Sequence, residues 1–165
     1  MAHGQKKPRV PRWPANPTAA SGLLESLRYF EEEEAATLAN EARMSWHRLT
    51  VGTGTKVDYD RVAVALNISA VLCEKAALPT SFERVELAQH ALVGIRERFN
   101  RLGKFGADAI ALRDIPLGLD VHDALLPLLN PLQLVQAMRE CYDNIVARNV
   151  IDLRPVGERT KAGAL

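Results

Sequence analysis

The sequence predicts an all-α fold, four or five helices in a bundle behind a proline-rich basic N-terminal arm. Three observations predict it. Apolar residues recur at three- and four-residue intervals through most of the chain. No stretch alternates apolar and polar residues as a half-buried strand would, and no segment repeats. Glycines and prolines gather where the periodic stretches stop.

Residues 1–17 contain Pro8, Pro11, Pro14 and Pro17, which forbid a helix and favour extended backbone. They are expected to form a flexible arm. From Thr18 to Leu49 there is no proline, and Leu24, Leu27, Leu38, Ala42 and Trp46 keep helical spacing, so one long helix is expected. Val51-Gly52-Thr53-Gly54-Thr55 ends it.

The second helix is expected from Asp58, as N-cap, to Ala77. Tyr59, Val62, Leu66 and Cys73 line one face, while Val64, Ile68, Val71 and Leu72 fill much of the rest. A helix apolar nearly all round belongs at the centre of a bundle.

Thr80 followed by Glu83 has capping-box spacing and opens a third helix, marked by Phe82, Leu87, Leu92, Ile95 and Phe99 and closed by Gly103. Residues 108–117 predict one or two short helical turns. Asp120 then reads as the N-cap of a new helix, with Asp123 in its first turn. Asn130-Pro131 restarts the last helix, which runs to about Arg148. The bundle domain is thus 18–150, and 151–165 form an irregular tail.

At 165 residues, 47% apolar and 25% charged, the chain has the size and balance of one ordinary globular domain. No apolar run approaches the ~18–20 residues that cross a bilayer. Prolines occupy the place of a signal peptide's apolar core, so a cytoplasmic location is expected. Cys73 and Cys141 lie in apolar helical patterns without CxxC spacing and read as reduced core residues. The net charge of +1 hides an asymmetry. Residues 1–16 carry +4 and 154–165 carry +2, whereas 17–153 hold 14 basic and 19 acidic residues.

The stretch Gly118-Leu119-Asp120-Val121-His122-Asp123 carries the sharpest chemical candidate. Its His-Asp pair resembles that of the HD superfamily of metal-dependent phosphohydrolases, in which an earlier His and a later Asp complete a metal site. His90, His122, Asp123 and either Asp143 or Asp152 would supply the ligands, and imidazole with carboxylate suits a transition metal that activates water. Four residues of common types at loose spacing carry little specificity. The local alternative is that Asp120 and Asp123 cap a helix start and His122 is an exposed first-turn residue. That second reading is adopted, so no metal and no cofactor is expected.

Gly52-Thr53-Gly54-Thr55-Lys56 lacks the P-loop pattern, and Asp58 and Asp60 would repel a phosphate, so it reads as a linker. Glu86 and His90 are four apart and have no second copy, which excludes a di-iron carboxylate pattern. Asn67 and Ser69, inside the most apolar helix, are expected to tie it to a neighbour by hydrogen bonds.

Two charged features suggest a partner. Glu31, Glu32, Glu33 and Glu34 form an acidic run on the first helix, and Lys6, Lys7, Arg9 and Arg12 flank one stacking ring, Trp13. The basic arm suits nucleic-acid phosphates or an acidic protein surface. The acidic body disfavours a broad nucleic-acid footprint.

Gly52-Thr53-Gly54-Thr55…Asp58-Tyr59-Asp60-Arg61…Ala65-Leu66-Asn67 and Leu119-Asp120-Val121-His122-Asp123 resemble small uncharacterised helical proteins of proteobacterial phage, prophage and plasmid loci, over roughly residues 40–140. The resemblance implies a bacterial or mobile-element origin and no particular chemistry. The resulting expectation is a non-enzymatic interaction or regulatory protein with a protein partner, no membrane, and a possible homo-oligomer. The alternatives are a nucleic-acid accessory protein using its arm, and an HD-like phosphohydrolase.

Overall fold

The computed structural model describes residues 27–146. Within them lie five α-helices, one 3-10 turn and no strand. The expected basic arm, the start of the first helix and the expected tail fall outside the described residues.

Helix α1 spans Glu32–Thr50, not the continuous stretch expected from Thr18 to Leu49. Residues 28–31 are not helical, and Glu31 caps the helix in extended backbone. The acidic run explains the break. Adjacent carboxylates are favourable at the positive end of a helix and repel one another in its middle. The Glu34 carboxylate accepts the Glu31 N–H at 2.9 Å and two bonds from the Arg28 guanidinium at 2.8 and 3.0 Å. Ala35, Ala42, Ser45, Trp46 and Leu49 then bury one face. Just before the helix, the Phe30 N–H donates to Leu129 O at 3.0 Å.

The linker after α1 turns at Gly52, whose φ of +79° suits glycine. At Gly54 the chain passes so close to α1 that a Cβ would lie 2.8 Å from Leu49 Cα.

Helix α2 spans Lys56–Lys75 and is capped by Thr55, one turn earlier than the Asp58 cap expected. Thr55 and Asp58 form a reciprocal capping box: Asp58 Oδ2 accepts the Thr55 N–H at 2.9 Å, and Thr55 Oγ1 accepts the Asp58 N–H at 3.3 Å. Arg48 of α1 donates to the other Asp58 oxygen at 2.9 Å, which ties the two helices at this end. As its all-round apolar pattern predicts, α2 is the axis of the bundle and packs against every other helix.

Helix α3, Pro79–Leu102, starts with its proline at the first helical position, so Thr80 lies inside the first turn and is not the cap. Ala77, at φ +51°, reverses the chain before it, and Gly103, at φ +70°, closes it as expected. Helix α4, Ala109–Leu125, is continuous, which corrects the expectation of short turns followed by a helix starting at Asp120. Its cap is Asp108, whose Oδ1 accepts the Ala111 N–H at 2.9 Å, and it runs straight through Pro116 and Gly118.

Packing accounts for the glycine. A Cβ on Gly118 would lie 2.5 Å from Ala88 Cβ of α3 and 2.8 Å from Leu66 Cδ2 of α2. The glycine is a contact point between helices rather than a stop. Leu49, Val62, Leu66, Val85, Ile95, Ile115 and Leu119 fill the core among α1 to α4. Tyr59, Phe105 and Phe99 stack at one end, with ring centroids 5.7 and 4.2 Å apart.

After the 3-10 turn Leu126–Leu128 comes α5, Pro131–Val146. Asn130 starts it as the sequence predicts, its Oδ1 accepting the Gln133 N–H at 2.9 Å while Gln133 returns a bond to the Asn130 N–H at 3.0 Å. Among the described helices α5 rests on α2 alone, through a small cluster of Ala137, Leu134 and Cys141 against Ile68, Val71 and Leu72. Lys75 pairs with Glu140 at its edge.

Candidate functional site

The His-Asp pair does not decorate a helix start. It lies in the last turns of α4, where its two side chains point to different surroundings. His122 is buried, 6% exposed, against the expectation of an exposed residue. Asp123 is turned outward to Arg43 of α1, which donates from Nε and a terminal nitrogen to Asp123 Oδ2 at 2.9 and 2.7 Å. The same guanidinium reaches Asp120. Both acids therefore clamp α4 to α1 and neither caps a helix.

Inside the clamp, His122 Nδ1 lies 3.0 Å from Ser69 Oγ of α2. Ser69 spends its single proton on Ala65 O at 2.8 Å, so its oxygen accepts the bond and the imidazole carries its proton on Nδ1. Burial pushes the His122 pKa below its ordinary value. Asp123 opposes that shift and Arg43 adds to it. A neutral, Nδ1-protonated imidazole is what this environment holds.

The cluster has the residue types of a hydrolytic triad without its chemistry. Ser69 is fully buried and engaged with the backbone of its own helix, and it faces Nδ1 rather than the proton-accepting Nε2. A metal site fares no better. No three His, Cys, Asp or Glu side chains among the described residues gather closely enough to hold an ion. His90 is half-buried on α3, Asp143 is exposed on α5, and Asp152 lies outside the described residues. Two polar atoms in this part of the protein, Ser45 Oγ and Asp123 Oδ1, are buried without a hydrogen bond.

The expected partner-binding residues divide in two. Lys6, Lys7, Arg9, Arg12 and Trp13 lie outside the described residues. Glu31 to Glu34 occupy the cap and first turn of α1, and none of them is buried. Glu34 is engaged with Arg28, while Glu32 and Glu33 are exposed. Asn67 bonds to Gln89 of α3 at 2.8 Å, the tie between helices that its position predicts.

The surface that sequence reasoning missed is on α5. Leu132, Val135, Met138, Tyr142 and Val146 are exposed, the last four at 59, 48, 66 and 64%. At about 100° per residue, Ala137, Cys141, Leu134, Met138, Tyr142, Val135 and Val146 fall on one apolar arc of roughly 180°, and Leu132 lies just beyond it, across the exposed Arg139. α2 covers only the edge of that arc holding Ala137, Leu134 and Cys141. Spacings of three and four from Leu132 to Val146 were legible; what they could not say is which side of the arc the bundle would use. Leu128, 65% exposed, extends the apolar surface at the start of the helix.

No helix among the described residues is long and apolar enough to cross a membrane. No model of a known protein family matches the chain, and neither does any curated protein or any solved structure.

Proposed function

We propose that the protein is a non-enzymatic helical interaction protein that docks another macromolecule, a protein first of all, on the exposed apolar stripe of α5. The single observation that carries this reading is the stripe Leu132-Val135-Met138-Tyr142-Val146, left uncovered beside the edge of the helix that packs on α2. Contiguous exposed apolar surface on a helix is the usual form of a helix-recognition site. The buried, proton-sharing arrangement of Ser69 and His122 supports the non-enzymatic part, since it holds helices together and presents no reactive atom to a substrate. Glu32 and Glu33, together with the basic arm, offer charges that would orient a partner.

The test is photo-cross-linking in bacterial cells from benzoylphenylalanine placed at Tyr142. An adduct with a second, different macromolecule that is lost in Val135→Asp, Val146→Asp is the expected result. Absence of any such adduct overturns the reading. An adduct to nucleic acid that needs Lys6, Lys7, Arg9 and Arg12 would replace it with the accessory-protein reading.

A further inference from the structure

We infer that the end of the bundle where α1 turns into α2 and α3 into α4 is a docking surface for the phosphate backbone of a nucleic acid, held by Lys56, Arg96, Arg101 and Lys104. The surface is separate from the α5 stripe and shares no residue with it.

Three observations meet here. First, packing brings the four helix ends together. Arg48 near the end of α1 holds Asp58 at the start of α2, and Arg98 near the end of α3 donates to Gly106 O at 2.9 Å and to the Asp108 cap of α4 at 2.7 Å. Tyr59, Phe105 and Phe99 stack between these two corners and join them. Second, charge is segregated along the bundle. Residues 47–61 and 95–113, which make this end, hold eight Lys and Arg against four Asp and Glu, whereas the rest of the described chain holds five against thirteen. The acidic average of the body conceals a basic end. Third, the cations here are uncommitted. Lys56, Arg61, Arg96, Arg101 and Lys104 are exposed and make no ion pair among the described residues, and elsewhere only Arg84 and Arg139 are left so.

The aromatic stack places the cations. Lys56 and Arg96 precede Tyr59 and Phe99 by about one helical turn, and Lys104 adjoins Phe105. Burial raises the Tyr59 pKa and the Arg96 charge opposes that shift, so the guanidinium lies within electrostatic reach of the phenol. Asp60 and Glu97 are the two acids of this end without an ion pair, and they soften its field.

A phosphate backbone fits this surface better than an acidic protein does. Cations bind it by releasing its condensed counterions and need no apolar pocket. A protein interface concentrates its affinity in a few anchors, aromatic rings foremost, and no Phe, Tyr or Trp at this end is exposed. The three rings are packed on one another and offer no platform for bases, so the contact is to phosphates, without choice of sequence.

The experiment is fluorescence anisotropy of a labelled DNA duplex of mixed sequence, titrated with the purified full-length chain at rising salt. Binding is expected, and its log–log salt slope should lose about 2–3 in magnitude in Arg96→Gln, Arg101→Gln, Lys104→Gln. Asp60→Asn, Glu97→Gln should tighten binding several-fold, and Arg84→Gln, Arg139→Gln should leave it unchanged. No binding at low salt overturns the inference. So does an unchanged slope in the triple variant, which would assign the contact to Lys6, Lys7, Arg9 and Arg12. Tighter binding to phosphatidylglycerol vesicles than to the duplex in the same buffer also overturns it, in favour of a membrane surface. Val135→Asp, Val146→Asp should bind the duplex as the natural chain does, so this result and the cellular cross-link from Tyr142 can fail independently.

Discussion

Ser69 Oγ and His122 Nδ1 meet 3.0 Å apart in the interior, joining α2 to α4 across 53 positions of sequence. The bond holds a titratable ring where burial disfavours its charged form. The folded pKa of His122 lies below the ordinary value near 6.5, so the unfolded chain takes up the proton first as pH falls. The stability that the neutral ring contributes is complete above about pH 6.5 and is lost as pH falls through the folded value. The urea midpoint should drop more between pH 7.5 and pH 5 for the natural protein than for His122→Asn. Equal drops in the two proteins would remove His122 as the source.

Asp108 and Asp120 separate the true helix cap from the expected one. Asp108 accepts the Ala111 N–H and an Arg98 bond at 2.7 Å, and these hold its carboxyl below the usual range. Asp108→Ala should cost about 0.5–2 kcal/mol of unfolding free energy. Asp120 has a 59% exposed side chain at the edge of the Arg43 clamp, and Asp120→Ala should stay within about 0.5 kcal/mol. Denaturant titration of both variants checks the order.

Gly118→Ala would ordinarily favour a helix by about 1 kcal/mol. Here the new methyl meets Ala88 Cβ at 2.5 Å and Leu66 Cδ2 at 2.8 Å, so α4 must move off its neighbours. A net loss of about 1–3 kcal/mol is expected. Thermal unfolding reads it, and a rise in the midpoint would contradict the close approach.

α5 should open before the rest of the bundle. Its buried contact with the other helices is Ala137, with Leu134 and Cys141 half-buried against α2, whereas α2 is enclosed by four helices. Native-state hydrogen exchange should show lower protection over 131–146 than over 62–73. Matching protection in both stretches would mean that they unfold as one unit.

Much of the architecture was legible in the sequence because it follows from local pattern. The all-α class, the central place of α2, the Asn130-Pro131 start of α5 and the close at Gly103 each depend on residues within a turn or two of one another. The interhelical tie of Asn67 was also readable, since a polar group in so apolar a helix needs a partner.

What only the tertiary structure decided are the positions where long-range packing outweighs a local signal. Asp120 and Asp123 have the spacing of a cap, yet α4 runs through them because Gly118 seats against Ala88 and Leu66, and Arg43, some eighty residues away in sequence, takes both carboxylates. The buried partner of His122 lies on another helix for the same reason. On α5 the apolar arc is written in the sequence, but a helix cannot state which part of a wide apolar face its neighbours will cover. The bundle covers the side at Ala137 and leaves Leu132 to Val146 in solvent, and that choice is what creates the candidate site.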